Sequence, residues 1–457
     1  MRRPNVLLLC DDAARHTGTV DEHIRAFQLF SVSRVVVMDS RAASEIEVNL
    51  DYFDAIVFHY SIVIALSSFL PQDFFARLAA FRGPKVLFIQ DEYRWVDRTA
   101  AAVRDLGITV IFTVVNPDVI RKIYREPWFD SIRFEQTLTG FVPTELLVKR
   151  VPEYAERPID VSYRARRVPS WLGEFGQEKW IIGERFLIDS ARYELTCDIA
   201  MSESSRIYGQ SWLDFVANSK AVLGTESGAS FVDFSGSAQH QVEEYERNHP
   251  HATFREVQSR FLHGDGDTVI HVISPRCFEA AALRTLMILY PGDYSGILEP
   301  NRTYFPLARD HLNMDEVNSV IRDPVRAQKI IGAAYEEIAC SQRWTFNAFI
   351  AQFDTVITDE LKQMTRNSQP APESIITNTS SLEAEFIRLE QAAAQVGKSR
   401  VRMMSRALML QRMTRRLSEI VHHILPAPAA RRLTRFGTLA STRIKPLVKR
   451  LLFGRAE

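Results

Sequence analysis

Short apolar runs recur through the first third of the chain, each followed by a segment long enough for a helix. The runs cover residues 5–10, 35–38, 55–58, 85–89 and 109–112. Continuous apolar runs are typical of strands that are covered on both faces. Strands that alternate with helices imply a parallel sheet with right-handed crossovers. The pattern predicts a Rossmann-like first domain over residues 1–141.

A charged, proline-containing connection over residues 142–158 interrupts this pattern, which then resumes. Further strands are predicted at 160–163, 197–200, 221–224 and 286–290, with a helix over 176–190 and closing helices over 315–361. The polar residues 236–267 are expected to form a surface helix and loop. These signals predict a second Rossmann-like domain over residues 142–364.

The remaining residues differ in composition from both domains. Residues 365–380 are rich in Ser, Thr, Asn and Pro, which indicates a linker. Residues 381–457 carry a long helical pattern with an apolar stripe among basic residues. From Ser399 onward there are 14 Lys and Arg against 2 acids, so 42 bases and 54 acids remain elsewhere. This basic amphipathic tail is expected either to pack on a helix or to lie on an anionic membrane.

Composition narrows the class of protein. A hydrophobic content of 46% and a formal net charge of +0 fit a globular enzyme and exclude a disordered or nucleic-acid-coating chain. The four cysteines lie far apart without CxxC spacing, which favours a reducing compartment. The apolar start is too short for a signal peptide, and the longest apolar region, 55–70, is broken by polar residues. We therefore expect a cytoplasmic protein without a membrane span.

Residues 274–307 combine a helix, a buried strand and a glycine-containing loop. Pro275 marks the helix start, and the loop Tyr294, Ser295 and Gly296 follows the strand, where open α/β sheets bind ligands. One acid, Glu279, lies on an otherwise small and apolar helix. It is either a solvated helix residue or a carboxylate that binds hydroxyls of a nucleotide or sugar.

Two α/β domains whose strand ends face each other describe the GT-B fold. The segments ISPRCFEAAALRTLMILYPGDYSGILEPNRTYFPLARD and RWTFNAF resemble the donor-binding domain of bacterial glycosyltransferases of the spore-maturation-protein-like group. The resemblance covers residues 160–354 well and the first domain loosely. It implies a GT-B enzyme with two Rossmann-like domains facing across a cleft. It also implies a nucleoside-diphosphate sugar as donor substrate and no metal or other cofactor.

The resemblance also implies roles for individual residues. Glu279 matches the second glutamate of a pair spaced eight positions apart, and would accept both ribose hydroxyls of the donor. The first glutamate is replaced by His271, and this departure leaves the sugar contact and the stereochemical outcome open. The loop at Tyr294, Ser295 and Gly296 would bring backbone N–H groups near the donor, although Gly296 also suits a plain turn.

A departing nucleoside diphosphate gains negative charge that cations or helix dipoles must meet. Enzymes of this fold use an Arg and a Lys from the first strand–helix loop of the second domain, and the matching candidates are Arg164, Arg166 and Lys179. Gly173 and Gly176 would let that loop approach phosphate. Arg276 at a helix start is placed for the pyrophosphate or is a surface arginine.

A second candidate loop, LGTESGASFVDFSG, follows a buried strand. It places Glu226, Ser227 and Gly228 where part of the donor would lie. On the acceptor side, a general base should come from the strand ends of the first domain. Asp91 and His59 are the candidates, with buried structural hydrogen bonding as the alternative for the histidine.

Other motifs fail. Asp11 and Asp12 lack the third-strand aspartate of a phosphoacceptor domain, and Asp265 with Asp267 is expected to be an acidic surface turn. The chain has no Walker loop, no GxGxxG after the first strand and no GxSxG.

The sequence therefore predicts a hexosyltransferase-like glycosyltransferase of polysaccharide biosynthesis. Its acceptor would be a hydroxyl of a cell-surface glycan, a lipid-linked glycan or a protein, and not nucleic acid. The basic tail would hold it at the inner face of the membrane. Two alternatives are a nucleotide-sugar epimerase on the same fold and a non-catalytic scaffold that docks on membranes.

Overall fold

The computed structural model describes residues 2–42 and 48–367, together with positions 384, 387–389, 391, 392 and 395. Two parallel sheets with flanking helices form its framework. The linker and nearly all of the basic tail lie outside the described residues.

The first sheet has six parallel strands in the order β2-β1-β3-β4-β5-β6. They are β1 (Asn5–Cys10), β2 (Arg34–Asp39), β3 (Ala55–Phe58), β4 (Lys85–Ile89), β5 (Val110–Thr113) and β6 (Arg133–Gln136). The helices between them are α1 (Gly18–Phe30), α2 (Gln72–Ala80), α3 (Val96–Leu106) and α4 (Pro117–Ile123). The first five strands confirm the predictions. The sequence missed β6 because this edge strand, RFEQ, is polar and half-exposed.

The second sheet has five parallel strands in the order β13-β12-β9-β7-β8. Its strands and the antiparallel pair β10–β11 are β7 (Ile159–Arg164), β8 (Cys197–Ala200), β9 (Ser219–Gly224), β10 (Ser227–Ala229), β11 (Ile270–Val272), β12 (Leu286–Leu289) and β13 (Phe305–Pro306). The helices are α5 (Gly173–Ser190), α6 (Gln210–Ala217), α7 (Ser237–Asn248), α8 (Phe254–Phe261), α9 (Pro275–Ala282), α10 (Met314–Arg322), α11 (Pro324–Ala334) and α12 (Phe346–Asn367). The polar stretch predicted as a surface helix and loop forms two helices, α7 and α8.

The two domains contact each other through loops at the carboxyl ends of their strands. The backbone N–H of Asp233 donates to the carbonyl of Tyr93 at 2.8 Å. Asn116, which follows β5, reaches His271 of β11 at 3.3 Å. The predicted fold class, two Rossmann-like domains facing across a cleft in the GT-B manner, is confirmed.

The last described helix, α12, returns to the first domain. Phe349 and Phe353 join the apolar core that contains β1 and α1. The Asp354 carboxylate accepts hydrogen bonds from the Ser31 hydroxyl at 2.6 Å and the Val32 amide at 2.9 Å. A helix predicted to close the second domain therefore also covers the first.

Among the few described positions beyond residue 367, Leu389 is buried and Ala392 packs beside it against the core of the first domain. None of the helices within the described ranges combines the length and apolar character needed to cross a membrane. The predicted linker and membrane-binding stripe fall outside the described residues.

Candidate functional site

A pocket opens at the carboxyl ends of β7, β9 and β12, where α9 begins. These four elements and α5 line the pocket. The lining residues are Tyr163, Lys179, Val222, Leu223, Gly224, Thr225, Ser274, Arg276, Cys277, Met287 and Leu289. Two basic side chains therefore meet at the edge of the sheet where parallel α/β proteins bind ligands.

Lys179 extends from α5 into this pocket, where its ammonium lies 3.3 Å from the Ser227 hydroxyl. Burial lowers the pKa of Lys179 to about 8, and the positive charges of Arg276, Arg166 and Arg206 act in the same direction. The negative charge of Asp91, from the first domain, favours the protonated lysine. The pocket thus concentrates positive charge, which a bound anion would stabilise.

Arg276 lies in the first turn of α9, which starts with Ser274 as N-cap and Pro275 at its first position. Its guanidinium stacks over the Trp212 ring at 4.8 Å from the centroid and also donates to the carbonyl of Arg164. The unpaired N–H groups of a helix start favour anions, so Arg276 and the α9 amides act together.

Glu279 lies one turn further along α9 and accepts a hydrogen bond from the Trp212 indole at 2.7 Å. Burial raises its pKa, while Trp212 and Arg276 act in the opposite direction. Glu22 of α1 approaches from the first domain: burial raises its pKa to about 7, with Glu145 and Glu279 adding to the shift. The carboxylate expected to bind ribose is therefore held by an indole and faces the other domain.

Glu226 is the centre of a buried polar network beside the pocket. Its Oε1 accepts the Tyr294 backbone N–H at 2.7 Å and lies 3.2 Å from Nδ1 of His271. The hydrogen bond to Glu226 raises the pKa of His271. The far nitrogen of the ring contacts Asn116, so this chain of contacts crosses from the second domain to the first.

The loop after β12 has left-handed backbone at three successive residues. The φ angles of Tyr294, Ser295 and Gly296 are 48°, 56° and 68°. Tyr294 is fully buried and donates its hydroxyl to the carbonyl of Tyr290, and Ser295 accepts the Ile273 amide at 3.2 Å. The loop therefore uses its first amide to hold Glu226, and Gly296 lies beside open space.

Gly228 is required by the close pairing of β10 with β11. Its φ is 139°, and a Cβ atom there would lie 1.9 Å from the carbonyl oxygen of Ile270. This glycine lets β10 approach β11, which places His271 directly opposite Gly228. Its role is to shape the site.

Two predicted arginines are placed differently from Lys179. Arg164 donates to the Asp198 carboxylate at 2.8 Å and stacks over Phe215 at 4.2 Å, so its guanidinium braces β7 against its neighbours. Arg166 is exposed and acts on the site through its charge.

The start of α5 is occupied by protein groups. The Glu174 amide donates to Asp265 at 2.9 Å, and the Phe175 amide donates to the Ser230 hydroxyl at 3.0 Å. This explains why the glycines at 173 and 176 pack against protein, whereas the cation that reaches the pocket comes from Lys179 later in the helix.

The two candidate bases differ in their surroundings. His59 is fully buried; its Nδ1 accepts the Ser61 amide at 3.0 Å, and its Nε2 lies 3.0 Å from His23. Burial lowers its pKa well below the usual range. Asp91 is exposed, accepts the Tyr93 hydroxyl at 2.6 Å, and is near enough to Lys179 to affect its pKa. These positions favour Asp91 over His59 as a group that an acceptor could reach.

Sequence reasoning missed Trp212, Arg206, Glu22 and Asn116. Each reaches the site from a different helix or loop, and no local motif marks any of them. Only their long-range contacts with Glu279, Lys179 and His271 identify them.

Among the described residues, Glu226, His271 and Asp293 offer ligand atoms within 4.8 Å of one another, which would suit a metal ion. Nδ1 of His271 faces Glu226 in a hydrogen bond, and a metal there would have to displace that proton. The expectation of a metal-independent reaction stays a prediction.

No protein-family model matches the chain, and no curated protein matches it. Solved structures of similar shape include an α-glucosyltransferase in complex with UDP, at 10% identity and a TM-score of 0.45, covering 78% of this chain and 100% of its own. Another is Anabaena HepE in complex with UDP, at 11% identity and a TM-score of 0.44, covering 79% and 100%. A third is TarM, at 12% identity and a TM-score of 0.37, covering 66% and 54%. At these identities and TM-scores, the likenesses carry no argument about this chain, and the narrower spore-maturation-protein-like group stays a prediction.

Proposed function

We propose that this protein is a glycosyltransferase that moves a sugar from a nucleoside-diphosphate donor to a hydroxyl acceptor. One observation carries the proposal: Lys179 and Arg276 converge with the start of α9 in one pocket, and the Glu279 carboxylate lies one helical turn away. A diphosphate is stabilised by cations and free backbone amides, and the hydroxyls of a ribose need a hydrogen-bond acceptor such as a carboxylate. The site offers the cations and amides at the start of α9 and the carboxylate one turn later.

The proposed reaction forms a bond between the acceptor oxygen and the anomeric carbon and breaks the bond from that carbon to the diphosphate. Lys179, Arg276 and the α9 amides would stabilise the negative charge that accumulates on the leaving diphosphate. The proton of the acceptor hydroxyl would pass to a base on the first-domain side, for which Asp91 is the accessible candidate. Glu226 and His271 would border the transferred sugar. Ser227, the residue after Glu226, hydrogen-bonds to Lys179, and His271 hydrogen-bonds to Glu226.

The proposed acceptors are cell-surface glycans, lipid-linked glycans or proteins. One solved structure of similar shape is an α-glucosyltransferase with a DNA that contains a modified base, so an acceptor panel for this chain should include DNA. Transfer to DNA would contradict the prediction of no nucleic-acid partner.

Calorimetry with uridine and guanosine diphosphate tests the donor site. We expect the wild type to bind at least one of them. Lys179→Met should weaken binding roughly ten- to hundredfold, the range expected for a lost charge-assisted hydrogen bond. Glu279→Gln keeps an acceptor for the Trp212 indole and should weaken binding by about tenfold. Since the pKa of Lys179 is about 8, affinity should decline as the pH rises past that value.

Lys122→Met removes an exposed lysine of the first domain and is the matched control. Absence of nucleotide binding in the wild type, or equal loss in the control, would contradict the proposal. Incubation with a nucleotide-sugar alone separates the epimerase alternative, which yields an isomer, from a transferase, which yields slow hydrolysis. Unchanged turnover in the presence of a chelator would support the metal-independent reaction.

A further inference from the structure

We infer that Tyr208, together with Arg206, forms the stacking platform for the nucleobase of the donor. The inference rests on the proposed function and assigns the part of the ligand that the phosphate and ribose groups leave unassigned. The loop over residues 201–209 would then bind a planar aromatic heterocycle.

The loop over residues 201–209 lies beside the pocket that contains Lys179 and Arg276. It follows β8, whose carboxyl end lies next to that of β7 in the parallel sheet. Arg206 is close enough to Lys179 for its charge to lower the lysine pKa. The loop ends at Gly209, which starts α6 with a φ of 57° and has open space where a side chain would be.

Tyr208 is an aromatic side chain presented to solvent. It is 46% exposed, and the guanidinium carbon of Arg206 lies 4.9 Å from its ring centroid. Arg206 is held in turn by Glu203 at 2.9 Å. An aromatic face with an adjacent guanidinium plane is the pairing that stacks bases without regard to their hydrogen-bonding edges.

The order of groups in a nucleoside diphosphate fits this placement. Lys179 and Arg276 would take the phosphates, and Glu279 the ribose. Trp212, which holds Glu279, lies in the first turn of α6, and its amide donates to the carbonyl of Gly209 at 3.0 Å. The next group outward from the ribose would therefore meet the segment that precedes Gly209, where Tyr208 lies.

Binding of uridine diphosphate, guanosine diphosphate and inorganic pyrophosphate to the full-length protein tests the inference. Tyr208→Ala should weaken both nucleotides by roughly ten- to hundredfold, as for other lost base–aromatic stacks. Pyrophosphate, which has no base, should bind the variant as it binds the wild type. Tyr208→Phe keeps the ring and should retain wild-type affinity.

The matched control is Tyr193→Ala. Tyr193 also carries a stacked arginine, Arg192 at 4.7 Å, but lies before β8, at the opposite end of that strand. This variant should bind both nucleotides normally. Equal nucleotide affinity in Tyr208→Ala and wild type would overturn the inference and leave the proposed function intact. A wild type that binds neither nucleotides nor pyrophosphate would overturn the proposed function itself.

Discussion

At the scale of single residues, the surroundings of a side chain decide its chemistry. His271 and His59 are the same residue type, yet a carboxylate raises the pKa of the first and burial lowers that of the second. His59 and His23 form a pair inside an aromatic cluster, where neither ring gains a counter-charge from its partner. The pair is therefore kept neutral, and acid should destabilise the fold.

Acid sensitivity of the histidine pair is a testable consequence. Burial lowers the pKa of His23 to about 3, against an ordinary value of 6.5. Between these values the unfolded chain binds a proton that the folded protein does not, so the unfolding free energy falls as the pH falls. The loss is at most about 1.4 kcal/mol per pH unit for each histidine. Urea unfolding at several pH values below neutrality measures it.

The pH dependence of the unfolding free energy must be compared between the wild type and a variant without the histidine pair, because Glu22 and Glu92 change it in the opposite direction. Burial raises their pKa values to about 7 and about 8, so their contributions to stability are lost as the pH rises. A double variant, His23→Phe with His59→Phe, should lose less stability on acidification than the wild type. His240→Ala changes an exposed histidine and should behave as the wild type. Equal slopes in the double variant and the wild type would contradict the prediction.

At the scale of elements, α5 depends on residues far away in the chain. Its own N-cap residue, Leu172, provides no side-chain cap. Asp265, from the polar stretch between β10 and β11, accepts the Glu174 amide and the Gln258 side chain. That stretch therefore fixes the helix that carries Lys179 into the pocket.

Removal of this tertiary cap should destabilise the protein. Asp265→Ala is expected to lower the unfolding free energy by about 1–2 kcal/mol, the usual cost of a lost helix cap. Asp267→Ala alters the same turn at an exposed side chain that makes no such contact, and its effect should be below about 0.5 kcal/mol. Chemical denaturation of both variants measures the difference. Equal effects would show that Asp265 contributes only as a surface acid.

At the scale of the whole molecule, the two domains are joined by more than their connection. Helix α12 completes the core of the first domain, and Asn116 with His271 spans the cleft. Binding of a donor at α9 would therefore affect contacts that both domains share.

We predict that the tail binds anionic membranes. The full-length protein should float with vesicles that contain anionic lipid, should float less at high salt, and should not float with neutral vesicles. A truncation after Asn367 should abolish flotation. Since Leu389 packs on the first domain, a second variant should keep residues 381–400 and replace the basic residues of 431–450 by glutamine. Unchanged flotation of both variants would refute the membrane role.

The framework of the two sheets can be predicted from the amino-acid sequence. Buried strands are rich in apolar residues, so β1 to β5, β7, β9 and β12 are visible in the chain, and β8 was predicted although its residues are only half-buried. Glu279 and the loop that follows β12 are visible as well. Polar edge strands such as β6 lack that signal. Arg276 was marked by its place at a helix start, whereas Lys179 was a candidate through the resemblance to glycosyltransferases.

Which of these residues meet depends on how the helices and loops pack in three dimensions. This packing paired Trp212 with Glu279, brought Arg206 near enough to Lys179 to affect its pKa, and used Arg164 for support and His59 for a buried pair. These outcomes depend on contacts between residues tens to hundreds of positions apart, and no local pattern encodes such contacts. The cleft is therefore a product of packing between two domains, of which the sequence predicts most strands but not the contacts between them.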